Sequence, residues 1–280
     1  MRTRCVFAWI LTACCAATAA GQEFSVTTKV FDDSPPRKGD PRRKQGEEIS
    51  SSSTLFHAGK VYDHLARADE MTIFEPAHQR FIFISEKRRI AATLTLAEID
   101  NYVHNFEKVA LENIRQSQTK NDSKSRERAA SGQFQLNPAF KQTFDPKRNR
   151  LQLLSDHLTY NVSCADETTV IPEAIESYLR FADAIARLNC VTNGHILPAP
   201  RVALNTALRQ RRLLPVNVVL QSHSGNLLHL RAEHKFEWQL TTRDRDVIVF
   251  WEQLLKDPDL KQMPFDDYQR ATLSQSLSRR

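Results

Sequence analysis

The sequence lacks the residues and motifs that mark the common classes of enzyme. Only 7 of its 280 residues are glycine, so a loop whose backbone closely surrounds a phosphate is not expected. A G-x-S-x-G nucleophile elbow, the H-E-x-x-H pattern and paired Cys/His zinc spacings are also missing. The sequence therefore argues against nucleotide and zinc enzymes of the common kinds, and we expect no cofactor, no bound metal and no assigned catalytic residue.

A strong charge of either sign is missing as well. The formal net charge is +6, a mild excess that favours solubility and selects no partner. Aromatic residues alternate at Phe81 and Phe83 and again at Phe236 and Trp238, but no basic groove is interleaved with them. Single-strand binders combine such rings with a basic groove. We therefore expect these rings to belong to a core, and no nucleic acid partner.

The first 20 residues have the character of a secretory signal peptide. Two arginines precede the apolar run Cys5–Ala17, and Ala17-Thr18-Ala19 has the small-x-small pattern of a cleavage site. The run is shorter than the roughly 20 residues of a membrane span. Export to the periplasm or cell envelope is therefore expected. Leu11–Cys14 also resembles a bacterial lipobox, and lipidation of Cys14 stays an alternative.

Two of the five cysteines, Cys164 and Cys190, lie beyond the signal segment and its edge. An even pair in an oxidising compartment is consistent with a disulfide. Two separately buried thiols are the alternative, because the sequence cannot show whether the Cα atoms approach within bridging distance. No Cys-x-x-Cys spacing occurs, which argues against a redox site.

Residues 21–53 are predicted to form a disordered polar linker. A short strand at Glu23–Phe31 is the one ordered element considered there, because Asp32–Ser53 is rich in proline, serine and charge and almost free of apolar residues. Such a segment cannot bury enough surface to offset the entropy of ordering. Residues 54–280 are long enough to form one sizeable core, and we assign them to a single domain.

Strand patterns dominate that domain. From Leu228 to Leu240 apolar and polar residues alternate, which indicates a long strand with one packed face, and Pro215–Gln221 is its expected hairpin partner. Short apolar segments with hairpin-length connections predict a meander; its strands are Lys60–Leu65, Glu70–Glu75, Arg80–Ser85 and Ile90–Thr95. A further hairpin is expected from Arg150–Leu154 and Leu158–Val162.

Helices are predicted between and after these strands. Thr95-x-x-Glu98 is a capping box that starts a helix, which fades into the polar segment Gln116–Gln133, interpreted as a mobile excursion. Further helices are expected to begin at Pro172 and to cover Arg201–Arg212, Asp244–Leu255 and Phe265–Leu277. The predicted fold class is α+β: a curved antiparallel sheet, barrel-like and half open, covered on one face by helices.

His234 is the most informative polar residue, because it lies on the apolar side of its strand between Ala232 and Phe236. A buried imidazole needs a partner for each ring nitrogen. His234 is therefore either a hydrogen-bonded core residue or a polar contact in a ligand site that includes Phe236 and Trp238. A third hypothesis makes it a general base, paired with Asp63 or Glu75 from a neighbouring strand.

The segment Lys60–Thr95, KVYDHL followed by EMTIFEPAHQRFIFISEKRRIAATLT, resembles a type of secreted bacterial protein. More distantly it is similar to the lipoprotein-carrier (LolA/LolB-like) superfamily, through the turn segments Tyr62-Asp63 and Phe74-Glu75-Pro76. The resemblance implies a half-open barrel whose concave apolar face is lidded by helices and holds lipid acyl chains.

We therefore expect an exported, monomeric, non-enzymatic envelope protein. On the concave face of its sheet it would bind a hydrophobic ligand, either a lipid or a lipoprotein acyl chain, or a partner such as a membrane surface. A secreted hydrolase with an acid/base site around His234 is one alternative. A structural or assembly factor without a small ligand is the other.

Overall fold

The computed structural model describes residues 23–35, 45–66, 70–193, 196–223 and 228–276. This part of the chain contains one sheet whose strands are β1 (Phe24–Asp32), β2 (Glu47–His57), β3 (Lys60–Leu65), β4 (Met71–Glu75), β5 (Arg80–Ser85), β6 (Ile90–Thr95), β7 (Lys141–Asp145), β8 (Arg150–Leu154), β9 (Leu158–Cys164), β10 (Pro215–Ser222), β11 (His229–Glu237) and β12 (Lys261–Gln262). Its helices are α1 (Leu96–Gln118), α2 (Ser123–Leu136), α3 (Pro172–Asn193), α4 (Ala199–Gln210), α5 (Thr242–Leu254) and α6 (Phe265–Ser276).

The strand order places the first strand in the middle of the sheet. It runs β12-β6-β5-β4-β3-β2-β1-β11-β10-β9-β8-β7, and every pairing is antiparallel except the short parallel contact of β12 with β6. The sheet is curled and does not close. The predicted α+β class and open antiparallel sheet are therefore confirmed.

The alternating segments formed the strands that their pattern predicts. Strands β3 to β6 form the meander, and β10 pairs with β11 so that Val218 lies opposite Ala232. The capping box at the start of α1 is also present. The Thr95 hydroxyl accepts from the Glu98 backbone N–H at 3.2 Å, and the Glu98 carboxylate accepts from the Thr95 N–H at 2.7 Å.

The main core lies on one face of the sheet. This covered face carries buried side chains such as Phe24, Phe56 and Phe81, and helices α1, α3, α4 and α6 pack against it. The opposite face is also covered in part, because Ile248, Trp251 and Leu254 of α5 pack against β2 to β6 there. The expected single layer of helices is therefore supplemented by one helix on the second face.

The disordered linker predicted for residues 21–53 is wrong where the structure describes it. β1 occupies Phe24–Asp32 and β2 begins at Glu47, while residues 36–44 lie outside the described part. The polar half of β2, Ser50–Ser53, pairs with β1 on one side, and Ser52 and Ser53 also pair with β3 on the other. Backbone hydrogen bonds to two neighbouring strands order this segment without apolar side chains.

The mobile excursion predicted for Gln116–Gln133 is also wrong. α1 continues to Gln118, and α2 begins after Asp122, whose carboxylate accepts from the Ser125 N–H at 2.8 Å. α2 buries the small residues Ser125 and Ala129 together with Phe134. Small residues let two helices approach closely but leave no apolar stripe for a sequence pattern to detect.

The expected signal peptide and Cys14 lie outside the described residues. None of the helices within the described ranges combines the length and the apolar character needed to cross a bilayer.

Candidate functional site

His234 lies on the covered face near the middle of the sheet. Its Nδ1 is 2.9 Å from the Thr28 hydroxyl on β1, and its Nε2 is 3.4 Å from the Tyr178 hydroxyl on α3. Burial, together with the positive charge of Arg201, lowers the pKa of His234 to about 3. The imidazole is therefore neutral at physiological pH, with a partner at each ring nitrogen.

Arg201 supplies the positive charge in this region. The side chain is partly buried in the first turn of α4, hydrogen-bonds Tyr178, and donates from Nε to the Asn205 side-chain oxygen at 3.2 Å. Asp183 interacts instead with Asn205 at 2.7 Å and with Arg209 at 2.9 Å. Within the described ranges Arg201 therefore has no carboxylate partner.

Phe236 in β11 and Trp238, immediately after the strand, continue the same row. Their rings stack with a centroid separation of 5.7 Å, and Trp238 also lies 5.9 Å from Phe24. Phe24 is fully buried, whereas Phe236 and Trp238 remain partly exposed. The structure thus brings the three predicted residues together. We call His234, Phe236, Trp238, Thr28 and Tyr178 the histidine site.

Two members of the histidine site were missed by sequence reasoning. Thr28 lies in Glu23–Phe31, where the sequence indicates at most a short strand, and Tyr178 lies in the helix expected to begin at Pro172. Thr28 pairs with His234 on one side and with Ser52 on the other. A contact between residues 206 positions apart, such as Thr28 and His234, leaves no signal in a single sequence.

The hypothesised acid/base pairs are not formed. Asp63 shares the covered face, where it accepts from Thr54 at 2.6 Å, but it lies three strands from His234, or about 14 Å at the usual strand spacing. Burial raises the pKa of Asp63, and hydrogen bonds from Thr54 and Ser52 partly oppose this effect. The hypothesised acid is therefore remote from the imidazole.

Glu75 lies on the opposite face, within an ion cluster that ties α5 to the sheet. It contacts Lys60 at 2.9 Å and Arg80 at 2.6 Å, and Lys60 also reaches Glu252 of α5 at 2.8 Å. Tyr62 donates to Glu252 at 2.7 Å. Burial would raise the pKa of Glu75, but the bonds to Lys60 and Arg80 outweigh it and the pKa is lowered. This cluster joins elements together and is separated from His234 by the sheet.

Of the two alternatives for Cys164 and Cys190, the disulfide is not formed, and two separately buried free thiols are present. Cys164 ends β9 and pairs with Pro215 of β10, whereas Cys190 lies on α3 and lines a groove between helices. Burial raises the pKa of Cys164 to about 12 and also raises the pKa of Cys190. Both are therefore weakly reactive as thiolates.

No group of three or more His, Cys, Asp or Glu side chains in the described ranges is placed to hold a metal ion. In comparisons with known proteins, no family model and no curated protein matches the chain. The fold and the histidine site describe an open-sheet α+β protein with a partly exposed aromatic surface beside a neutral imidazole. The resemblance to lipoprotein carriers stays a prediction.

Proposed function

We propose that this chain is an exported, non-enzymatic envelope protein that binds a hydrophobic ligand, a lipid or a lipoprotein acyl chain, at the histidine site. The observation that carries the proposal is the partial exposure of Phe236 and Trp238 beside Phe24, which is fully buried. Partly exposed aromatic side chains at the edge of a core present apolar surface to a ligand. Because they have few rotatable bonds, they lose little side-chain entropy when the ligand binds.

The polar groups of the histidine site support binding better than catalysis. The neutral His234 can exchange a hydrogen bond with a polar atom of the ligand, such as an ester carbonyl, while Thr28 or Tyr178 holds its other nitrogen. No carboxylate in the described part of the chain contacts the imidazole, so no acid stands ready to orient it as a general base. Ligand pockets commonly combine an apolar lining with a few such polar groups.

Tryptophan fluorescence tests the proposal directly, because Trp238 and Trp251 lie on opposite faces of the sheet. The only other tryptophan is Trp9, within the expected signal segment. In Trp251→Phe, the Trp238 emission should shift or be quenched on addition of palmitoyl-lysophosphatidylcholine below its micellar concentration. In the matched variant Trp238→Phe, the Trp251 emission should stay constant.

Native mass spectrometry of the protein purified gently from its envelope supplies a second measurement. A lipid-sized adduct that leaves on denaturation is expected, and organic extraction would identify its class. A clean apo mass together with unchanged Trp238 emission would contradict the proposal and favour a structural or assembly factor. Equal changes at both tryptophans would indicate general detergent-like unfolding and would also contradict it.

A further inference from the structure

A groove of about 550 Å³ lies in the helical layer, away from the histidine site. We call it the helix groove; α1, α2, the end of α3 and the segment before α4 form it. None of the histidine-site residues lines it. Small-molecule sites commonly have volumes of roughly 300–1,000 Å³, so the helix groove has the size of a ligand site.

The helix groove has an apolar floor and an apolar rim. Ile114, Cys190 and Leu197 form the buried floor, with exposures of 5%, 1% and 9%. Val109 and Ile196 at the rim are 58% and 57% exposed. Apolar side chains on both sides of an open groove lose water contact only when something occupies it.

Charge is distributed unequally along the helix groove. Lys120 and Arg128 line one end, both exposed, and neither forms an ion pair with a carboxylate in the described part of the chain. Asp122 lies within reach of the Lys120 charge, but its carboxylate caps α2. Among the described residues that line the groove, Lys120 and Arg128 are the only charged ones. The charge of the lining is therefore positive and lies near the turn between α1 and α2, which we call the basic end.

One polar atom inside the helix groove is unsatisfied. The side-chain oxygen of Gln135 is buried and has no hydrogen-bond partner in the structure, and Gln135 lines the groove. Buried polar atoms are nearly always paired with protein, water or a ligand. The helix groove thus contains an acceptor that needs a donor, and a water molecule held in the groove beside an apolar ligand can supply it.

We propose that the helix groove binds a long-chain carboxylate of the fatty acid class, with the chain over Ile114 and Leu197 and the carboxylate between Lys120 and Arg128. The arginine guanidinium matches a carboxylate through two parallel hydrogen bonds, and lysine adds a point charge. A cationic amphiphile would meet two like charges at the basic end.

Isothermal titration calorimetry with palmitate on the purified protein tests the proposal. Palmitate should bind at the helix groove, and the uncharged hexadecanol should bind there at least about tenfold more weakly, because it forgoes the ion pairs. Palmitate bound at the histidine site should be insensitive to Lys120 and Arg128, so the charge-dependent part of the titration reports on the helix groove. The double variant Lys120→Glu/Arg128→Glu should lose palmitate binding by about tenfold or more and gain affinity for dodecyltrimethylammonium.

The matched control is Lys124→Glu/Arg126→Glu, which makes the same change of charge on exposed α2 residues that do not line the helix groove. It should keep palmitate affinity within about a factor of three, the loss expected from a screened charge at a distance. Equal losses in the two double variants would overturn the proposal, as would hexadecanol binding as tightly as palmitate.

A third variant tests the location. Ala110→Trp places a large ring in the helix groove and should abolish the charge-dependent palmitate binding, the part that Lys120→Glu/Arg128→Glu removes, while the histidine site keeps its response to palmitoyl-lysophosphatidylcholine. Charge-dependent palmitate binding that survives this substitution would overturn the proposal. If Ala110→Trp fails to fold, as circular dichroism would show, the exposed double variants still decide the question.

Discussion

His234 provides a polar group on the covered face without providing a charge. Its two partners come from β1 and α3, and burial and the charge of Arg201 hold its pKa at about 3. An unfolded histidine titrates near a pKa of about 6.5. The folded and unfolded states of the protein therefore bind different numbers of protons at acidic pH.

The consequence is a specific dependence of stability on pH. Between the two pKa values the unfolded state binds up to one proton more than the native state, so the stability from a neutral His234 is full above about pH 6.5 and is lost as the pH falls toward 3. We predict that His234→Phe reduces the slope of unfolding free energy against pH by at most about 1.4 kcal/mol per pH unit. Urea denaturation at a series of pH values measures it.

The control for this prediction is His104→Phe, at an exposed position of α1, which should keep the wild-type slope. At neutral pH, His234→Phe should also cost roughly 1–3 kcal/mol, because it leaves the Thr28 and Tyr178 hydroxyls without their imidazole partner. If His234→Phe left the slope of unfolding free energy against pH unchanged, His234 would bind a proton equally well in the folded and unfolded states.

At the scale of the element, α2 packs against α1 through a glycine. A Cβ atom built at Gly132 would lie 2.9 Å from the Ile114 Cγ1 atom, closer than carbon atoms normally approach. Glycine within a helix costs roughly 0.5–1 kcal/mol relative to alanine. The close approach of the two helices, which also shapes the helix groove, is therefore kept at the expense of helix propensity.

Whether a substitution at Gly132 raises or lowers the stability should depend on the side chain at position 114. We predict that Gly132→Ala destabilises the wild-type protein, because the buried Ile114 cannot move away freely. In the Ile114→Ala background, which alone should cost roughly 2–5 kcal/mol, the same substitution should stabilise by about 0.5–1 kcal/mol. A double-mutant cycle by urea denaturation measures both effects, and equal signs would contradict the packing described here.

The elements that the sequence predicted are those whose burial leaves a pattern. β3 to β6 and β10 with β11 alternate strongly enough to be recognised, and period-2 alternation also brought His234, Phe236 and Trp238 to one face. β2 was missed because backbone pairing, not apolar side chains, orders its polar half. α2 was missed because the residues that it buries are mostly small. The partners of His234, and the basic end of the helix groove, depend on tertiary contacts that no local pattern contains.

At the scale of the whole molecule, β1 joins the two halves of the sheet. It pairs with β2 on one side and with β11 on the other, and its Phe24 is fully buried beside Phe56, with ring centroids 4.1 Å apart. Trp251 reports on the half that contains β3, and Trp238 reports on the half that contains β11. The two tryptophans can therefore show whether the halves unfold together.

We predict that they do, and that Phe24→Ala lowers the stability seen by both tryptophans by roughly 3–5 kcal/mol. The single-tryptophan variants Trp251→Phe and Trp238→Phe provide the two signals in urea. Phe250→Ala, the same change at a residue that is 45% exposed, should alter stability by about 0.5 kcal/mol or less. A shift confined to one tryptophan would show that β1 does not couple the halves.

The central position of β1 also sets an order of events during synthesis. The ribosome makes β1 and β2 roughly 200 residues before β11, the neighbour that β1 still lacks, as the 206-residue separation of Thr28 and His234 shows. Contacts across such a distance close slowly, because the entropy of the intervening loop must be lost first. Until β11, in the last third of the chain, is available for pairing, one edge of β1 stays without its native neighbour, and the sheet can be completed only late.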